Sequence, residues 1–577
     1  MLDPRTVNSL WCSVLAETLS RLGLSRAVLC PGSRSAPLTL ALARHPQIET
    51  LPALDERSAA FFALGLAKAK GKAVALVCTS GTAAANFFPA LIEAQMSQVP
   101  LLVLTADRPP ELRHCRAGQT IDQVKLYGAY PQWQAELAAP ENRLDLLRYL
   151  RQTLVYAWEQ AHWPRRGVVH LNCPFREPLA PPPEGEPLEF PLGFDPETFF
   201  SALVPSFPVL TPQLTSAVPP LPPKGLILCG YCLGNLDPEA VGALARRLGY
   251  PVLGDGISPL RNGYLGDYPL ISRYDLILRS PEAARNLEPQ AIIQIGELPT
   301  SKELRDWLSR QTAPVYLLEP TGENPNPLHR PSQVWRCSPQ AWLNALPERE
   351  LEPETRDYCQ AWLAAERRCQ IQMEQALSET EELLPSVLFA QLPRFLPPGA
   401  QVMVANSMPV RYLEYFWPPN PEKISIYVNR GANGIDGTLS TALGLAQRRA
   451  PTFLLTGDLS LLHDTNGFLL APIFRGELTI IVLNNQGGGI FEFLPVAQSA
   501  ERELFETYFA TPQNVDFAQL CRVYGAAYTR ITSLAELRQA LTSESTAKIR
   551  LWEIPLDRRR EAPELKALFK GLTETEG

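Results

Sequence analysis

"TGDLSLLHDTNGFLLAPIFRGELTIIVLNNQGGG" spans Thr456–Gly489. It contains the end of one apolar run, "PTFLLTGD", and the whole of another, "ELTIIVLNN". Each reads as a buried strand, and each stops in small polar residues that are poor strand formers. Asp458 closes the first and Asn485 follows the second, 27 positions later. The stretch between them suits a crossover helix, so both side chains belong at one sheet edge. An Asp carboxylate, an Asn amide oxygen and a carbonyl at Gly487 are hard oxygen donors. A partial set of this kind suits Mg²⁺, which takes its remaining ligands from phosphate and water. Gly457, Gly487 and the two glycines after it let backbone approach a phosphate. A helix N-terminus after Ser460 would favour its charge.

The same alternation recurs along the chain. Residues 1–180 carry "RAVLCPGS", "AVALVCTS", "PLLVLTAD" and "GVVHLNCP" between helical stretches. Residues 200–350 carry "GLILCGY", "QAIIQIGE" and "APVYLLEP". Residues 385–577 add "QVMVANS" and "IRLWEIP" to the two opening runs. Short apolar strands alternating with helices give parallel sheets covered on both faces, so the fold class is α/β with three doubly wound domains. Ligands of such sheets sit beyond the strand carboxyl ends. Proline marks the joints. It is abundant, with 56 residues, and "PLAPPPEGEPLEFPLG" and "VPSFPVLTPQLTSAVPPLPPKG" read as an extended linker. Residues 351–386 read as an exposed connecting helix.

Composition narrows the class. Of 577 residues, 45% are hydrophobic and 20% charged, an ordinary soluble balance. The 53 basic against 60 acidic residues leave −7, which argues against nucleic acid as a partner. "RRR" at Arg558–Arg560 reads as a solvated segment. No apolar run reaches the roughly 20 residues that span a bilayer, so no membrane insertion is expected. The first residues read as an amphipathic helix rather than a secretion signal. Eleven scattered cysteines suit a reducing cytoplasm, and "CGYC" (Cys229–Cys232) reads as buried thiols.

"GDLS" followed by "NN" resembles the thiamine-diphosphate signature, with Leu459 where glycine is commonest. The resemblance implies a cofactor diphosphate anchored through Mg²⁺ or Mn²⁺ by Asp458, Asn485 and the Gly487 carbonyl. The first block should then hold the aminopyrimidine ring. "LPALDERSAAFFALGLAKAKG" (Leu51–Gly71) opens a helix with Asp55 and Glu56, where acids also complement a helix dipole. The resemblance places Glu56 on the pyrimidine nitrogen as the catalytic group. The Thr79, Ser80 and Gly81 turn after "ALVC" could line the same pocket. Arg34, Arg108, Arg411 and Arg430 each follow a strand, and four guanidinium groups there suit carboxylate substrates.

"PGSRSAPL", "DERSAAFFALGLAKA", "TSGTAAANFFPALIEA", "LTADRPPEL", "NRGANGIDGTLSTALG", "GDLSLLHD" and "NNQGGGIFEFLP" closely resemble the 2-succinyl-5-enolpyruvyl-6-hydroxy-3-cyclohexene-1-carboxylate synthase family, in which Leu459 is typical. The resemblance implies a transferase of menaquinone or phylloquinone biosynthesis. It decarboxylates 2-oxoglutarate on thiamine diphosphate and adds the succinyl carbanion equivalent 1,4 to isochorismate. Ser33, Arg34, Arg108, Gln119, Ser407, Arg411 and Arg430 would hold the substrates, with Lys302 a further candidate beside Glu303. Ser407, Ile435, Gly457, Leu459, Ser460 and Ile490 would border the cofactor. Ile490, Phe491 and Leu494 would wall the reacting carbon. The implied domains are 1–185 (pyrimidine-binding), 186–223 (linker), 224–350 (central), 351–384 (connecting helix) and 385–577 (diphosphate-binding). Active sites are expected between subunits of a homodimer or homotetramer. An acetolactate-synthase-like enzyme and a catalytically dead homologue are the competing readings. The arginines oppose the first, and intact Glu56, Asp458 and Asn485 the second.

Overall fold

The computed structural model describes residues 2–574, apart from 183–186, 204–213, 215–217, 233–235, 263–265, 349, 379, 381, 448–449 and 544. Much of the expected proline-rich linker therefore lies outside the described residues. One short helix, Pro196–Phe200, stands between its two halves, capped by Asp195. Among the described residues there are three six-stranded parallel sheets, so the α/β reading with three doubly wound sheets holds. No described helix is long and apolar enough to cross a membrane.

The first sheet runs Glu49–Pro52, Arg26–Leu29, Val74–Cys78, Leu101–Asp107, Val168–Pro174, Trp133–Glu136. The third runs Ser425–Val428, Gln401–Val404, Thr452–Gly457, Leu478–Asn484, Ile549–Pro555, Ala527–Arg530. Numbered along the chain, both orders are 2-1-3-4-6-5. The middle sheet, from Gly225–Cys229 to Ser332–Trp335, has the order 3-2-1-4-5-6. All three reverse direction beside their first strand, and that reversal opens a crevice at the strand carboxyl ends. The interior strands are apolar because both faces are covered; every residue of Val74–Cys78 and Leu101–Asp107 is buried.

Contacts group the chain into two compact units. One comprises 1–209, 429–449 and 463–476; the other comprises 210–428, 450–462 and 477–577. In the first, Asp55 caps the Glu56–Lys70 helix by accepting from the Ser58 N–H at 2.8 Å, and Gly71 ends it in the left-handed region. This helix packs on Thr438–Ala446 through facing glycines. A Cβ on Gly65 would lie 2.1 Å from the Thr441 carbonyl oxygen, and one on Gly444 would lie 2.2 Å from that of Phe62. Any larger residue would force the helices apart.

In the second unit, the Pro353–Ser378 helix is not simply exposed. It buries a stripe from Tyr358 through Trp362 and Cys369 to Leu377, and its Glu366 accepts from the Ser272 hydroxyl and the Arg273 N–H. The Val7–Leu22 helix also departs from the amphipathic expectation, since twelve of its sixteen residues are buried. The crossover after Asp458 is broken as well. A six-residue helix, Asp458–His463, starts at Asp458 itself rather than after Ser460, and a 3₁₀ stretch follows over Thr465–Leu470. Asp464 ends the short helix because its carboxylate turns to accept from the N–H and hydroxyl of Ser440.

Candidate active site

The first unit gathers an anion-binding cluster at its strand ends. Gly32, after the first strand, leaves no room for a side chain: a Cβ would sit 2.2 Å from that of Thr79. The loops after the first and third strands therefore touch. Arg34 is buried there. It donates to the Phe175 carbonyl at 2.9 Å and lies 3.3 Å from the Glu177 carboxylate, and its Nε has no partner. Arg108, after the fourth strand, donates to the Ser80 hydroxyl and, at 3.1 Å, to the Gln119 carbonyl. The Gln119 amide returns to the Ser80 carbonyl at 2.9 Å, and Gly81 N–H donates to Gln123 at 2.8 Å. Burial and then the Arg34 charge pull Arg108 below the usual guanidinium range. Two guanidinium groups close enough to oppose each other, one with an orphaned N–H, suit an anion. Ser33 beside them is exposed.

Glu56 is the first residue of its helix and half-buried, and its carboxylate has no hydrogen-bond or ion-pair partner among the described residues. Burial, and then the charges of Glu56 and Asp55, push the Cys30 thiol up; Cys78 is pushed up by burial, Cys30 and Glu56. The Glu56 charge thus acts on two buried thiols. The nearby Thr79 hydroxyl is buried and unpartnered. A free carboxylate and an orphaned hydroxyl fit a heteroaromatic ring that brings its own donors and acceptors. The loop carrying Arg430 is held by Glu93, which accepts from the N–H of Gly431 at 3.1 Å and of Ala432 at 2.7 Å. Lys68 pairs with Glu93 at 3.6 Å and donates to Asn429 at 2.9 Å. Half-buried Ile435 accepts from the Thr438 hydroxyl.

The second unit gathers oxygen donors. Asp458 is 3% exposed and accepts from the Gly487 N–H at 2.8 Å. Burial pushes its carboxyl up to about 6, against the hydrogen bonds from backbone Leu459 and Gly487. A divalent cation beside it would offset that desolvation. The loop 486–489 is fixed by side chain and backbone together, with Arg558 donating to the Gln486 carbonyl at 2.6 Å. Gly488 N–H donates to Ala510 at 2.7 Å, and a Cβ on Gly487, at φ +137°, would lie 2.4 Å from the same carbonyl. Asn485 gives its amide N–H to Glu561 at 2.8 Å, which leaves its Oδ1 without a protein donor among the described residues. The Gly487 carbonyl accepts from Gly489 N–H at 2.9 Å and keeps a second lone pair. One carboxylate, one amide oxygen and one carbonyl fit Mg²⁺ or Mn²⁺ sharing a diphosphate. Gly457, Leu459 and Ser460 flank Asp458, with Leu459 half-buried and Ser460 buried.

Ser407 has φ +71°, a left-handed-region value costly for a side chain, and heads the Met408–Phe416 helix. Its carbonyl accepts from Arg411 at 2.5 Å. Burial pulls Arg411 down and Arg305 pulls it further. Lys302, by contrast, starts the Lys302–Ser309 helix, 82% exposed and 3.8 Å from Asp306. On that helix the guanidinium that acts on Arg411 belongs to Arg305, a residue the sequence reading passed over. Ile490, Phe491 and Leu494 follow on the 3₁₀ turn Gly489–Phe493. Phe491 packs edge-on against Phe509, and Leu494 is 44% exposed.

Sequence reading also missed the residues that hold these groups in place: Glu93 and Lys68, Glu561 and Tyr412, and the clamp on the Met408–Phe416 helix. In that clamp Glu414 accepts from Gly256 N–H at 2.6 Å and lies 3.3 Å from Arg261, while Arg273 donates to the Tyr415 carbonyl at 2.8 Å. Lys68, Glu93 and Glu414 are charges inside apolar helices, which was the available signal; Glu561 stands in a polar helix start and Arg261 and Arg273 outside strands and helices, where no such signal exists. Cys229 and Cys232 are both free thiols, the first buried and the second half-buried.

Three family models match the chain. The thiamine pyrophosphate enzyme N-terminal TPP binding domain matches residues 12–126. The middle domain of thiamine pyrophosphate enzymes matches 221–404, and the C-terminal TPP binding domain matches 409–548. Among curated relatives, the 2-succinyl-5-enolpyruvyl-6-hydroxy-3-cyclohexene-1-carboxylate synthase of Rippkaea orientalis is 48% identical, covering 99% of this chain and 98% of its own. The enzyme of that name from Synechocystis sp. is 52% identical over 98% of both chains. That of Microcystis aeruginosa is 50% identical over 96% of this chain and 98% of its own.

Proposed function

The chain belongs to the 2-succinyl-5-enolpyruvyl-6-hydroxy-3-cyclohexene-1-carboxylate synthase family of thiamine pyrophosphate enzymes, and from that premise we infer how its residues carry the reaction. It is a thiamine-diphosphate-dependent transferase of menaquinone or phylloquinone biosynthesis. It decarboxylates 2-oxoglutarate and adds the four-carbon fragment 1,4 to isochorismate, releasing CO₂. Bound thiamine diphosphate supplies the electron sink that makes loss of CO₂ possible.

The protein's part is to bind, orient and exclude water. Glu56 meets the pyrimidine nitrogen and holds or releases the proton there, and Thr79, Ser80 and Gly81 border the same ring. Asp458, the Asn485 Oδ1 and the Gly487 carbonyl hold Mg²⁺ or Mn²⁺ on the diphosphate, beside Gly457, Leu459 and Ser460. Ile435 would support the cofactor only as an apolar contact. Arg34 and Arg108, with Ser33 and Gln119, take one substrate's carboxylates; Arg411, with Ser407, takes the other's, and Arg430 is a further carboxylate-binding candidate. Charge-assisted, fork-shaped hydrogen bonds suit these dianionic acids. Ile490, Phe491 and Leu494 keep water from the reacting carbon, and a dry environment favours a step that removes charge. Lys302 is the weakest member of the set, and its exposure suits a second contact at most.

We assign 1–185 to the pyrimidine side and 385–577 to the diphosphate side, with 186–223 as linker, 224–350 as the central domain and 351–384 as the connecting helix. A homodimer or homotetramer with sites completed between subunits is the proposed active form. Eleven free thiols support a cytoplasmic location.

The observation that carries the reading is the Asp458–Gly487–Asn485 arrangement, in which a fixed backbone loop leaves an amide oxygen free beside a buried carboxylate. Turnover of 2-oxoglutarate with isochorismate, in the presence of thiamine diphosphate and Mg²⁺, tests it. Wild type should release CO₂ and form the adduct only with cofactor. Glu56→Gln should lose about 10²–10⁴-fold in rate while still binding cofactor. Consumption of pyruvate in place of 2-oxoglutarate would overturn the substrate assignment.

A further inference from the structure

Asn485 reaches a cation through one atom only, its Oδ1, and an amide has no intrinsic preference for which end it presents. The neighbouring residues impose that preference. Its Nδ2 donates to Glu561 Oε2 at 2.8 Å. The other carboxylate oxygen, Oε1, accepts from the hydroxyl of Tyr412. Glu561 is 8% exposed and Tyr412 is 1% exposed, so both side chains are buried. With the Tyr412 hydroxyl donating to Oε1 and the Asn485 Nδ2 donating to Oε2, the carboxyl faces the amide's N–H end and the carbonyl end is turned away. Room for this contact comes from Gly489, where a Cβ would lie 2.3 Å from Asn485 Nδ2 and 3.5 Å from Glu561 Oε2. The three parts come from three segments: the loop after the fourth strand of the third sheet, the first turn of the Arg558–Glu574 helix, and the Met408–Phe416 helix.

We propose that Glu561, itself held by Tyr412, is the positioning residue that fixes Asn485 with its amide oxygen toward the divalent cation. This rests on the assignment of Asp458, Asn485 and Gly487 as the metal ligands. Partners that orient a ligand typically govern 10–100-fold in metal affinity. Glu561 touches neither substrate nor cofactor in this scheme, so its effect appears first in metal affinity. Catalysis at saturating metal is affected less.

Mn²⁺ affinity, read by electron paramagnetic resonance in the presence of thiamine diphosphate, tests the proposal on the full-length protein. Glu561→Ala should weaken Mn²⁺ binding about 10–100-fold. Glu561→Gln should stay near wild type, because a glutamine Oε1 still accepts from Asn485 while its NH₂ donates to the Tyr412 oxygen. Tyr412→Phe, which removes a single hydroxyl, should weaken binding several-fold. It also serves as the probe if Glu561→Ala does not fold. Wild-type Mn²⁺ affinity in Glu561→Ala, or in Tyr412→Phe where the alanine variant is unfolded, overturns the proposal. Asp458→Asn is the control that separates the two levels. If it abolishes Mn²⁺ binding while the Glu561 and Tyr412 variants leave it unchanged, the ligand assignment stands and only the positioning role fails. If Asp458→Asn leaves binding unchanged, the assignment fails and the proposal with it.

Discussion

The first and third sheets are wound in one strand order, and their corresponding strand ends carry opposite chemistry. After the third strand, the first sheet places the Thr79–Ser80–Gly81 turn and the third sheet places Asp458. After the fourth, the first sheet places Arg108 and the third places Asn485. At these two positions the first sheet presents hydroxyls and a guanidinium, which suit an anion; the third presents oxygen donors, which suit a cation. Topology fixes where side chains converge, and only the residues placed there decide what converges on them. The backbone differs accordingly. In the first sheet the loops after the third and fourth strands are held together by side chains, through Arg108, Ser80 and Gln119. In the third the 486–489 loop is held by backbone contact with Ala510 as well as by side chains, the Asp458 carboxylate accepting from Gly487 N–H and Arg558 donating to the Gln486 carbonyl.

If the two sheets supply complementary halves across a subunit interface, mixing two inactive proteins should restore activity. Glu56→Gln disables the first half and Asp458→Asn the second. A hetero-dimer of the two carries one intact site and one doubly disabled site. After subunit exchange an equimolar mixture should recover about a quarter of wild-type turnover, since about half the dimers are mixed and each has one good site. No recovery, with exchange shown by mass spectrometry, would break the pairing of halves.

A smaller effect separates the two arginine groups. Arg108→Lys and Arg411→Lys keep the charge and lose the planar fork. Each should raise KM about 10–100-fold for one acid substrate, as expected for a charged hydrogen bond worth about 1.5–3 kcal/mol. The affected substrate should differ between the two variants. Steady-state kinetics with each substrate varied in turn will show whether it does; equal effects on both substrates would erase the division of labour.

The smallest effect concerns Asp464, which ends the short helix after Asp458. Burial pushes its carboxyl up to about 6, opposed by the hydrogen bonds from Ser440 and by Arg57, with Asp436 adding to the rise. A folded-state value above the unfolded one means that the native state holds the proton more tightly. Its stabilising contribution is full below about 4 and is lost as pH rises through about 6. Wild type should therefore lose about 1–2 kcal/mol relative to Asp464→Asn between pH 5 and pH 7.5, read from urea unfolding. A pH-independent difference would show that the Ser440 contacts already compensate for the burial.

The interior strands were legible because burial on both faces demands continuous apolar runs, and "ALVC", "LLVLTA" and "LTIIVLN" provide them. The edge strands Glu49–Pro52, Trp133–Glu136, Ser425–Val428 and Ala527–Arg530 were not, because each is largely open on a face and lacks such a run. The residues next to strand ends were legible for a related reason. Asp458, Asn485, Arg34 and Arg108 stand where apolar runs stop, so their chemistry interrupts a pattern. Lys302 shows where that logic fails: a cation in a helix start gives no sign of which way it faces, and here it faces solvent while Arg305 lies near Arg411.

By itself the sequence determined the sheet class, the strand ends and the chemical types gathered at them, since hydrophobic period and local punctuation are properties of neighbouring residues. Tertiary structure alone decided which end of the Asn485 amide is presented, which loop Glu93 pins and which helix Arg261 clamps. Those contacts join residues 76, 338 and 153 positions apart, and no local pattern specifies a partner at such a distance.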